Sequence, residues 1–227
     1  MAQIRLYTQK LNPYAEKVSL ALNFKGLPYE RIESDDPEDR KRWSPVSGLL
    51  PVLEIAGERV HESAKILRWL ETRFPEPPLL SKDPKTAAAQ QRFAEWSDTS
   101  FVWYWNRWRT ARFPRPGDER PPEDGLLAKV RRGVRRGLGR PRARPSRVEL
   151  REFEVAEELV KRLDDLVGML GERAYFLADE PSVADLSVFG MLNVIGNGPI
   201  LEGRDAIEAR PRLSAYMERM EEITRPR

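Results

Sequence analysis

The N-terminal part of the chain alternates apolar and polar positions and then changes to the wider spacing of a helix. Residues 4–8 follow the period of two that predicts a half-buried strand. Asn12 and Pro13 are residue types favoured at the N-cap and at the first position of a helix. Gly26 suits the left-handed position after that helix, and residues 29–32 return to a strand pattern. This order predicts a βαβ unit with a parallel pair of strands.

The next apolar pattern, over residues 50–63, contains a proline, two short strands and a helix start. Pro51 has no N–H for a strand ladder, so it should begin a strand, and an X-Pro bond is where a cis peptide costs least. Ala56 and Gly57 predict the turn of a hairpin. Ser63 precedes residues with helical spacing, so we interpret it as a helix N-cap.

A proline-rich stretch at residues 74–78 separates this mixed pattern from a run of helical patterns. We therefore predict two domains, residues 1–76 and residues 84–227. The second should begin with a long aromatic helix over residues 86–113, followed by a basic insertion around residues 114–147.

A capping box marks the start of the most apolar helix in the second half. The sequence Ser182-Val183-Ala184-Asp185 has a hydroxyl and a carboxylate at the spacing that satisfies two backbone N–H groups reciprocally. The residues that follow are apolar on all sides, which is typical of a helix buried in a core. We therefore assign Asp185 a structural role.

The composition limits the chemistry that the chain can supply. Its 227 residues include no cysteine, which excludes disulfides, cysteine-ligated zinc and a protein thiol nucleophile. The single histidine, His61, makes a histidine metal site implausible, so no metal is expected. The sequence shows neither an apolar run of membrane-spanning length nor a basic-then-apolar leader, so we expect no membrane span and a cytoplasmic protein.

Charge is unevenly distributed although the net charge is only +3. Nine Lys and Arg residues and no acidic residue lie between residues 126 and 148. Such a segment can bind nucleic acid, anionic lipid or an acidic partner, but it has no interleaved aromatic side chains for base stacking. We expect a solvated surface here, and we do not expect nucleic acid as a partner.

The N-terminal pattern resembles the glutathione transferase superfamily, in which a cis-proline precedes the third strand and a Glu/Gln-Ser pair opens the next helix. Pro51 and the pair Glu62-Ser63 are the matching residues here. The resemblance implies a thioredoxin-like α/β N-terminal domain, with a mixed sheet and a cis-Pro, and an all-α helical-bundle C-terminal domain. It also implies that the backbone at Leu50, Pro51 and Val52 pairs with the cysteinyl part of glutathione, while Glu62 and Ser63 hold the γ-glutamyl end.

The same resemblance places the residue that activates the glutathione sulfur at Asn12, where family members commonly carry Tyr, Ser or Cys. An amide has N–H donors that can stabilise a thiolate, although an ordinary N-cap role explains Asn12 equally well. Thr8 is a second candidate, because it falls where Tyr-type members carry their catalytic tyrosine. Tyr7 is its neighbour but should point to the opposite face of the strand.

Leu49 stands where the family often has a lysine for the glycine carboxylate of glutathione. Loss of a charged contact should weaken binding by about 1–3 kcal/mol unless another cation compensates. The candidates for compensation are Lys10, Lys17, Arg42 and His61.

The resemblance implies an enzyme that uses glutathione as co-substrate and conjugates its thiolate to a small apolar electrophile. The density of aromatic residues over 103–108 would suit a pocket for that electrophile, with Trp103 in its lining and Arg107 or Arg109 meeting an anion, although core packing is the better explanation for most of these rings. Family habit also implies a homodimer. The alternative is a glutathione-binding or scaffold module without transferase activity, which the residues at positions 12 and 49 favour. The chain is also similar to the prostaglandin E synthase type 2 branch, but it lacks the Cys-Pro-x-Cys segment of that branch. Glutathione is therefore the expected source of sulfur.

Overall fold

A computed structural model describes residues 3–102, 104–106, 147–198 and 201–226. The predicted basic insertion lies outside the described residues, apart from Arg147, which begins a helix. The domain limits at residues 76 and 84 stay a prediction. The described linker between the last helix of the first half and the first helix of the second spans residues 74–83.

The N-terminal half is a four-stranded mixed sheet with helices, as predicted. The sheet has the order β2-β1-β3-β4, in which β1 and β2 are parallel and the other two pairs are antiparallel. The strands are β1 (Ile4–Thr8), β2 (Glu30–Glu33), β3 (Val52–Ile55) and β4 (Glu58–His61), and the helices are α1 (Pro13–Phe24), α2 (Pro37–Trp43) and α3 (Ser63–Arg73). The parallel pair encloses α1, which is the predicted βαβ unit.

The hairpin between β3 and β4 has the turn that the sequence predicts. Ala56 has φ 52° and Gly57 has φ 85°, and two positive φ values are what a two-residue type I′ turn requires. The Leu50–Pro51 peptide bond is cis, as expected from the position of Pro51 before β3.

The C-terminal half is helical. Its described helices are α4 (Pro84–Ser100), α5 (Arg147–Leu170), α6 (Val183–Asn197), α7 (Leu201–Glu208) and α8 (Pro211–Ile223). Within the described ranges, no helix is long and apolar enough to cross a membrane.

The predicted continuous helix over residues 86–113 is wrong, because α4 ends at Ser100. Phe101 takes φ −99° and ψ −4°, which lies outside the regular helix, and its side chain enters the core with 1% exposure. Residues 102 and 104–106 are helical again beyond this interruption, and the rest of the predicted range lies outside the described residues.

The capping box at the start of α6 is present as predicted. Asp185 accepts hydrogen bonds from the Ser182 N–H at 2.9 Å and from the Ser182 hydroxyl at 3.1 Å, and its other oxygen accepts the Phe176 N–H at 2.9 Å. Burial of this fully enclosed carboxyl raises its pKa to about 6, even though the three donors oppose the shift. The residue therefore joins α6 to the segment before it.

One hydrophobic core runs through both halves, because α1 of the first half packs on α6 of the second. At their crossing, a Cβ on Gly190 would lie 3.0 Å from the backbone nitrogen of Lys17. The Lys17 side chain is 2% exposed and forms an ion pair with Asp98 of α4. The two halves thus meet through backbone contact and a buried charge pair.

Candidate functional site

Asn12 joins the start of α1 to the loop that ends in the cis-proline. Its side-chain oxygen accepts the N–H groups of Tyr14 at 3.0 Å and Ala15 at 3.3 Å, so it is the predicted N-cap of α1. Its amide nitrogen donates to the carbonyl of Leu50 at 3.3 Å. The structure therefore brings Asn12, Leu50 and Pro51 together, although they are separated by almost forty residues in sequence.

The amide of Asn12 retains one donor. An amide nitrogen carries two N–H groups, and among the described residues only the Leu50 carbonyl accepts from it. Asn12 is 2% exposed, which places the remaining N–H in a poorly hydrated position. A donor in such a position interacts strongly with an anion, because water screens it little.

Thr8 and Tyr7, the other two residues considered near the sulfur, are both buried in β1. Thr8 is wholly buried at the end of β1, and its hydroxyl donates to the Gln9 carbonyl at 3.0 Å. Tyr7 belongs to a separate apolar cluster with Trp43 and Val52, consistent with its placement on the opposite face of the strand. The role of Thr8 in catalysis stays a prediction, and the geometry favours Asn12 over it.

The interpretation of Ser63 as the N-cap of α3 is wrong, since Glu62 occupies that position and Ser63 is the first residue of the helix. Glu62 has φ 69° and ψ 123°, a backbone conformation that residues with a Cβ rarely adopt. No side chain caps this N-terminus. Glu62 instead uses its carboxylate for an ion pair with Lys65 at 2.8 Å.

The N-terminus of α3 is consequently suited to an external carboxylate. Side chains cap the starts of α1, α2, α4 and α6, whereas α3 and α8 have no such cap. The Ser63 hydroxyl has no hydrogen-bond partner within the part of the chain that the structure describes, although the residue is only 8% exposed. Free first-turn N–H groups, the positive end of the helix dipole and a free hydroxyl all favour an anion at this point.

Val52 and Leu49 border the same site from the loop before β3. Val52 is 0% exposed as a whole residue, and β3 pairs it with Tyr7 of β1 on one side and with His61 of β4 on the other. Leu49 is 61% exposed and adds no charge where a lysine was expected. His61 lies directly opposite Val52 in the β3–β4 ladder, and its Nδ1 is 3.4 Å from the Ser44 hydroxyl.

The candidate cations for the glycine end differ in availability. Lys17 is committed to Asp98 in the interior, and Arg42 pairs with Asp39 on its own helix. His61 is held beside Val52 by the ladder, and Lys10 is exposed in the loop between β1 and α1, so these two remain as candidates. Within the described ranges, no three His, Cys, Asp or Glu side chains come together as a metal-binding group.

The predicted electrophile site cannot be placed, because Trp103 and Arg107 lie outside the described residues. A cavity of about 310 Å³ opens between α3 and α4, and Ala64, the neighbour of Ser63, lines it. A larger groove of about 690 Å³ lies between α1 and helices α6 to α8, and none of the predicted site residues lines it. The smaller cavity is therefore the one beside the candidate site.

Sequence patterns missed one contact at the site. Trp105 donates its indole N–H to the carbonyl of Leu11, the residue before Asn12, at 3.2 Å. Leu11 has φ 50°, and a leucine gives no sequence signal for a left-handed backbone. The density of aromatic residues at this end of the second half was the nearest available signal.

Two family models match the chain. The glutathione S-transferase N-terminal domain matches residues 13–73, and the glutathione S-transferase C-terminal domain matches residues 159–220. Together they cover more than half of the 227 residues.

Curated proteins and solved structures agree with these matches. A probable glutathione S-transferase of Solanum tuberosum is 30% identical over 108 residues, which are 46% of this chain and 50% of that protein. The match thus spans about half the length of this relative. A crystal structure of a glutathione S-transferase from Rhodospirillum rubrum aligns with 99% of this chain and 91% of its own, with TM-score 0.69 and 24% identity.

A glutathione S-transferase of Methylobacterium radiotolerans, solved in complex with glutathione sulfonate, is also similar. It is 26% identical, with TM-score 0.65, and the alignment covers 96% of this chain and 90% of that one. The overall fold predicted from the sequence is confirmed by these likenesses.

Proposed function

Because the chain belongs to the glutathione transferase superfamily, we propose that it binds glutathione and conjugates the glutathione thiolate to a small apolar electrophile. The observation that carries this proposal is the N-terminus of α3, where no side chain caps the helix and the Ser63 hydroxyl is free among the described residues. These groups suit the α-carboxylate of a γ-glutamyl residue.

The remainder of glutathione would extend from α3 toward the cis-proline. The backbone at Leu50 and Pro51, just before β3, would pair with the cysteinyl residue as an added strand does, because Val52 already has partners in β1 and β4. This direction brings the sulfur toward Asn12, whose amide already touches the Leu50 carbonyl. A related transferase solved with glutathione sulfonate supports the class of ligand.

The chemistry assigned to Asn12 is stabilisation of charge. The glutathione thiol releases its proton to water, and the second N–H of the Asn12 amide donates to the resulting thiolate. The sulfur lone pair then forms a bond to the electrophilic carbon, and the electron pair of the broken bond leaves with the displaced group or remains in the adduct. Asn12 neither gives nor takes a proton in this sequence.

The proposal also includes the predicted electrophile site, the second candidate near the sulfur, the expected affinity, the oligomeric state and the location. Trp103 and Arg107 are proposed to position the electrophile, and Thr8 stays a second candidate near the sulfur. Affinity for glutathione should be modest because Leu49 supplies no charge, and Lys10 and His61 are the remaining substitutes. A homodimer and a cytoplasmic location also stay predictions.

The test uses calorimetric titration with glutathione, the pKa of the bound thiol from thiolate absorbance, and conjugation of an aryl halide. We expect the wild type to bind glutathione and to lower the thiol pKa. Asn12→Ala should raise the bound-thiol pKa by about one unit and slow conjugation about tenfold at neutral pH, since one pKa unit is a tenfold change in thiolate. Asn12→Ser keeps a capping oxygen and a donor, so it should retain activity.

The control is Asn23→Ala, the same substitution on the same helix at a residue outside the site. No binding at millimolar glutathione would overturn the proposal. Binding without conjugation of any electrophile tried would favour the binding-module alternative. An unchanged thiol pKa in Asn12→Ala would remove Asn12 from catalysis.

A further inference from the structure

Trp105 reaches from the helical half to the loop that carries Asn12. Its indole nitrogen donates to the carbonyl oxygen of Leu11 at 3.2 Å, across a sequence separation of 94 residues. Trp105 is 9% exposed, so this bond is shielded from water. A shielded hydrogen bond holds its partners more firmly than an exposed one.

The carbonyl that Trp105 holds belongs to the peptide unit that contains the Asn12 nitrogen. Leu11 has φ 50°, a conformation that is unfavourable for a residue with a branched side chain and that persists only where the surroundings enforce it. On the other side, Asn12 is fixed by accepting the N–H groups of Tyr14 and Ala15. The orientation of Asn12 is therefore set from both ends.

Tyr14 supports the same arrangement from the first turn of α1. Its ring meets the Trp105 ring edge to face, with centroids 5.8 Å apart, and its hydroxyl donates to the Asp98 carbonyl at 3.3 Å. Burial raises the pKa of Tyr14, so the hydroxyl stays protonated and keeps donating at neutral pH. Tyr14 thus fixes the ring of Trp105 and the start of α1 relative to each other.

We infer that Trp105 is a positioning residue for catalysis, because its indole N–H fixes the Leu11–Asn12 peptide and thereby aims the free amide N–H of Asn12 at the glutathione sulfur. The inference rests on the proposed function. Trp105 itself touches neither glutathione nor the electrophile in this role. Its effect is on the direction of one donor, and a hydrogen bond weakens steeply as its angle departs from linear.

The experiment compares Trp105→Phe with Trp96→Phe in the full-length protein. Phenylalanine keeps an aromatic ring at position 105 and removes only the N–H and part of the bulk. Trp96 is a half-buried tryptophan of α4 whose ring stacks on Phe93 at 5.2 Å, and the donor to the Leu11 carbonyl is Trp105 and not Trp96. The same substitution at two tryptophans separates loss of the donor from loss of ring volume.

Three quantities are measured: glutathione affinity by calorimetry, the bound-thiol pKa by thiolate absorbance, and kcat and KM for an aryl halide. Trp105→Phe should raise the bound-thiol pKa by about one unit and lower kcat about tenfold at neutral pH, with glutathione affinity changed less than about threefold. Trp96→Phe should leave the thiol pKa and kcat close to wild type. In the Asn12→Ala background, Trp105→Phe should add no further pKa shift, because the donor that it aims is already gone.

The outcomes distinguish this inference from the proposed function. If the wild type neither binds glutathione nor lowers its thiol pKa, the proposed function fails and the inference falls with it. If the wild type does both and Trp105→Phe matches Trp96→Phe, the inference is wrong and the proposed function stands. An additive pKa shift in the double variant would also overturn it, since Trp105 would then act independently of Asn12. Should Trp105→Phe fail to fold, Trp105→Leu, which also lacks a donor, undergoes the same measurements with the same criteria.

Discussion

Ser63 presents a hydroxyl whose partner must come from outside the protein. The residue is 8% exposed at the start of α3, and no described group accepts from it or donates to it. Ser63 Oγ is not among the fully buried polar atoms that lack a partner, so water reaches it in the empty protein. A ligand that bonds to this hydroxyl replaces that water, and its gain is the net free energy of one exchanged hydrogen bond.

We therefore expect Ser63→Ala to weaken glutathione binding about fivefold to tenfold, which corresponds to about 1–1.4 kcal/mol for one hydrogen bond. Ser81→Ala is the matched control, since the Ser81 hydroxyl accepts the Asp83 N–H in the linker, away from the site. Calorimetric titration of both variants measures the difference. Equal affinities would show that Ser63 does not contact the ligand.

Residue types at the site were predictable where they obey general preferences. Asn12 was identified as an N-cap because asparagine before proline suits that position. Glu62 was not, since a positive φ at a glutamate follows no preference of its residue type and depends on the tertiary fold. The rule that serine caps helices therefore chose Ser63, one residue too late.

At the scale of elements, α6 is tied to its surroundings by one carboxyl. Asp185 accepts hydrogen bonds from Ser182 and Phe176, and burial raises its pKa from 3.8 to about 6. The folded state consequently holds a proton on this group more tightly than the unfolded chain does. The stability that this proton provides is full below about pH 4 and is lost as the pH rises through about 6.

We expect the unfolding free energy of the wild type, relative to that of Asp185→Asn, to fall by about 3 kcal/mol between pH 4 and pH 6, at about 1.4 kcal/mol per pH unit. Above pH 6 the difference between the two proteins should be constant. Urea unfolding across this range measures it. Asp83→Asn is a control of opposite sign, because hydrogen bonds from Thr86 lower the pKa of Asp83 and its contribution is lost only as the pH falls below about 3.8. A flat difference between pH 4 and pH 6 would mean that the three donors keep Asp185 ionised.

The periodicity of the sequence predicted the types of the elements, but it did not predict where α4 ends. The capping box and the all-round apolar sequence specified α6 correctly. The sequence gives no signal for the end of α4 at Ser100, because neither a glycine nor a proline marks the interruption at Phe101. The ring of Phe101 is buried at this interruption, and a local sequence pattern carries no signal for such packing.

At the scale of the whole molecule, the two halves depend on a close crossing of α1 and α6. Gly190 allows the backbone of α6 to approach Lys17, where a Cβ would lie 3.0 to 3.3 Å from three atoms of that residue. Two of these atoms belong to the backbone, so they cannot move aside as the end of a side chain can. The crossing positions α1, and with it Asn12, relative to the helical half.

We expect Gly190→Ala to lower the unfolding free energy by about 1–3 kcal/mol, the usual effect of overpacking a core. Gly168→Ala is the control, because Gly168 lies in α5 with no neighbour within 4 Å of the added Cβ. That variant should be more stable by about 0.5–1 kcal/mol through helix propensity alone. Chemical unfolding compares the two variants. If Gly190→Ala were more stable than the wild type, the crossing of α1 and α6 would have space for a Cβ at position 190.

The fold of each half was predictable from sequence, whereas their contact was not. The sequence alone offers Lys17 as a cation for a ligand, but the structure buries it against Asp98, 81 residues away along the chain. Asp98 sits on an aromatic helix whose pattern did not distinguish it from a surface acid. Long-range pairs of this kind depend on how the halves dock, and one sequence carries no signal for that.

The uncapped start of α3 affects both the stability of the empty protein and its affinity for an anionic ligand. Its first-turn N–H groups contribute little to the stability of the empty protein, and they contribute to affinity when an anionic ligand arrives. A side chain that capped α3 from within would make the empty protein more robust and would compete with the ligand for the same donors. Resistance to unfolding and retention of the ligand therefore oppose each other at this helix, and selection for one should act against the other.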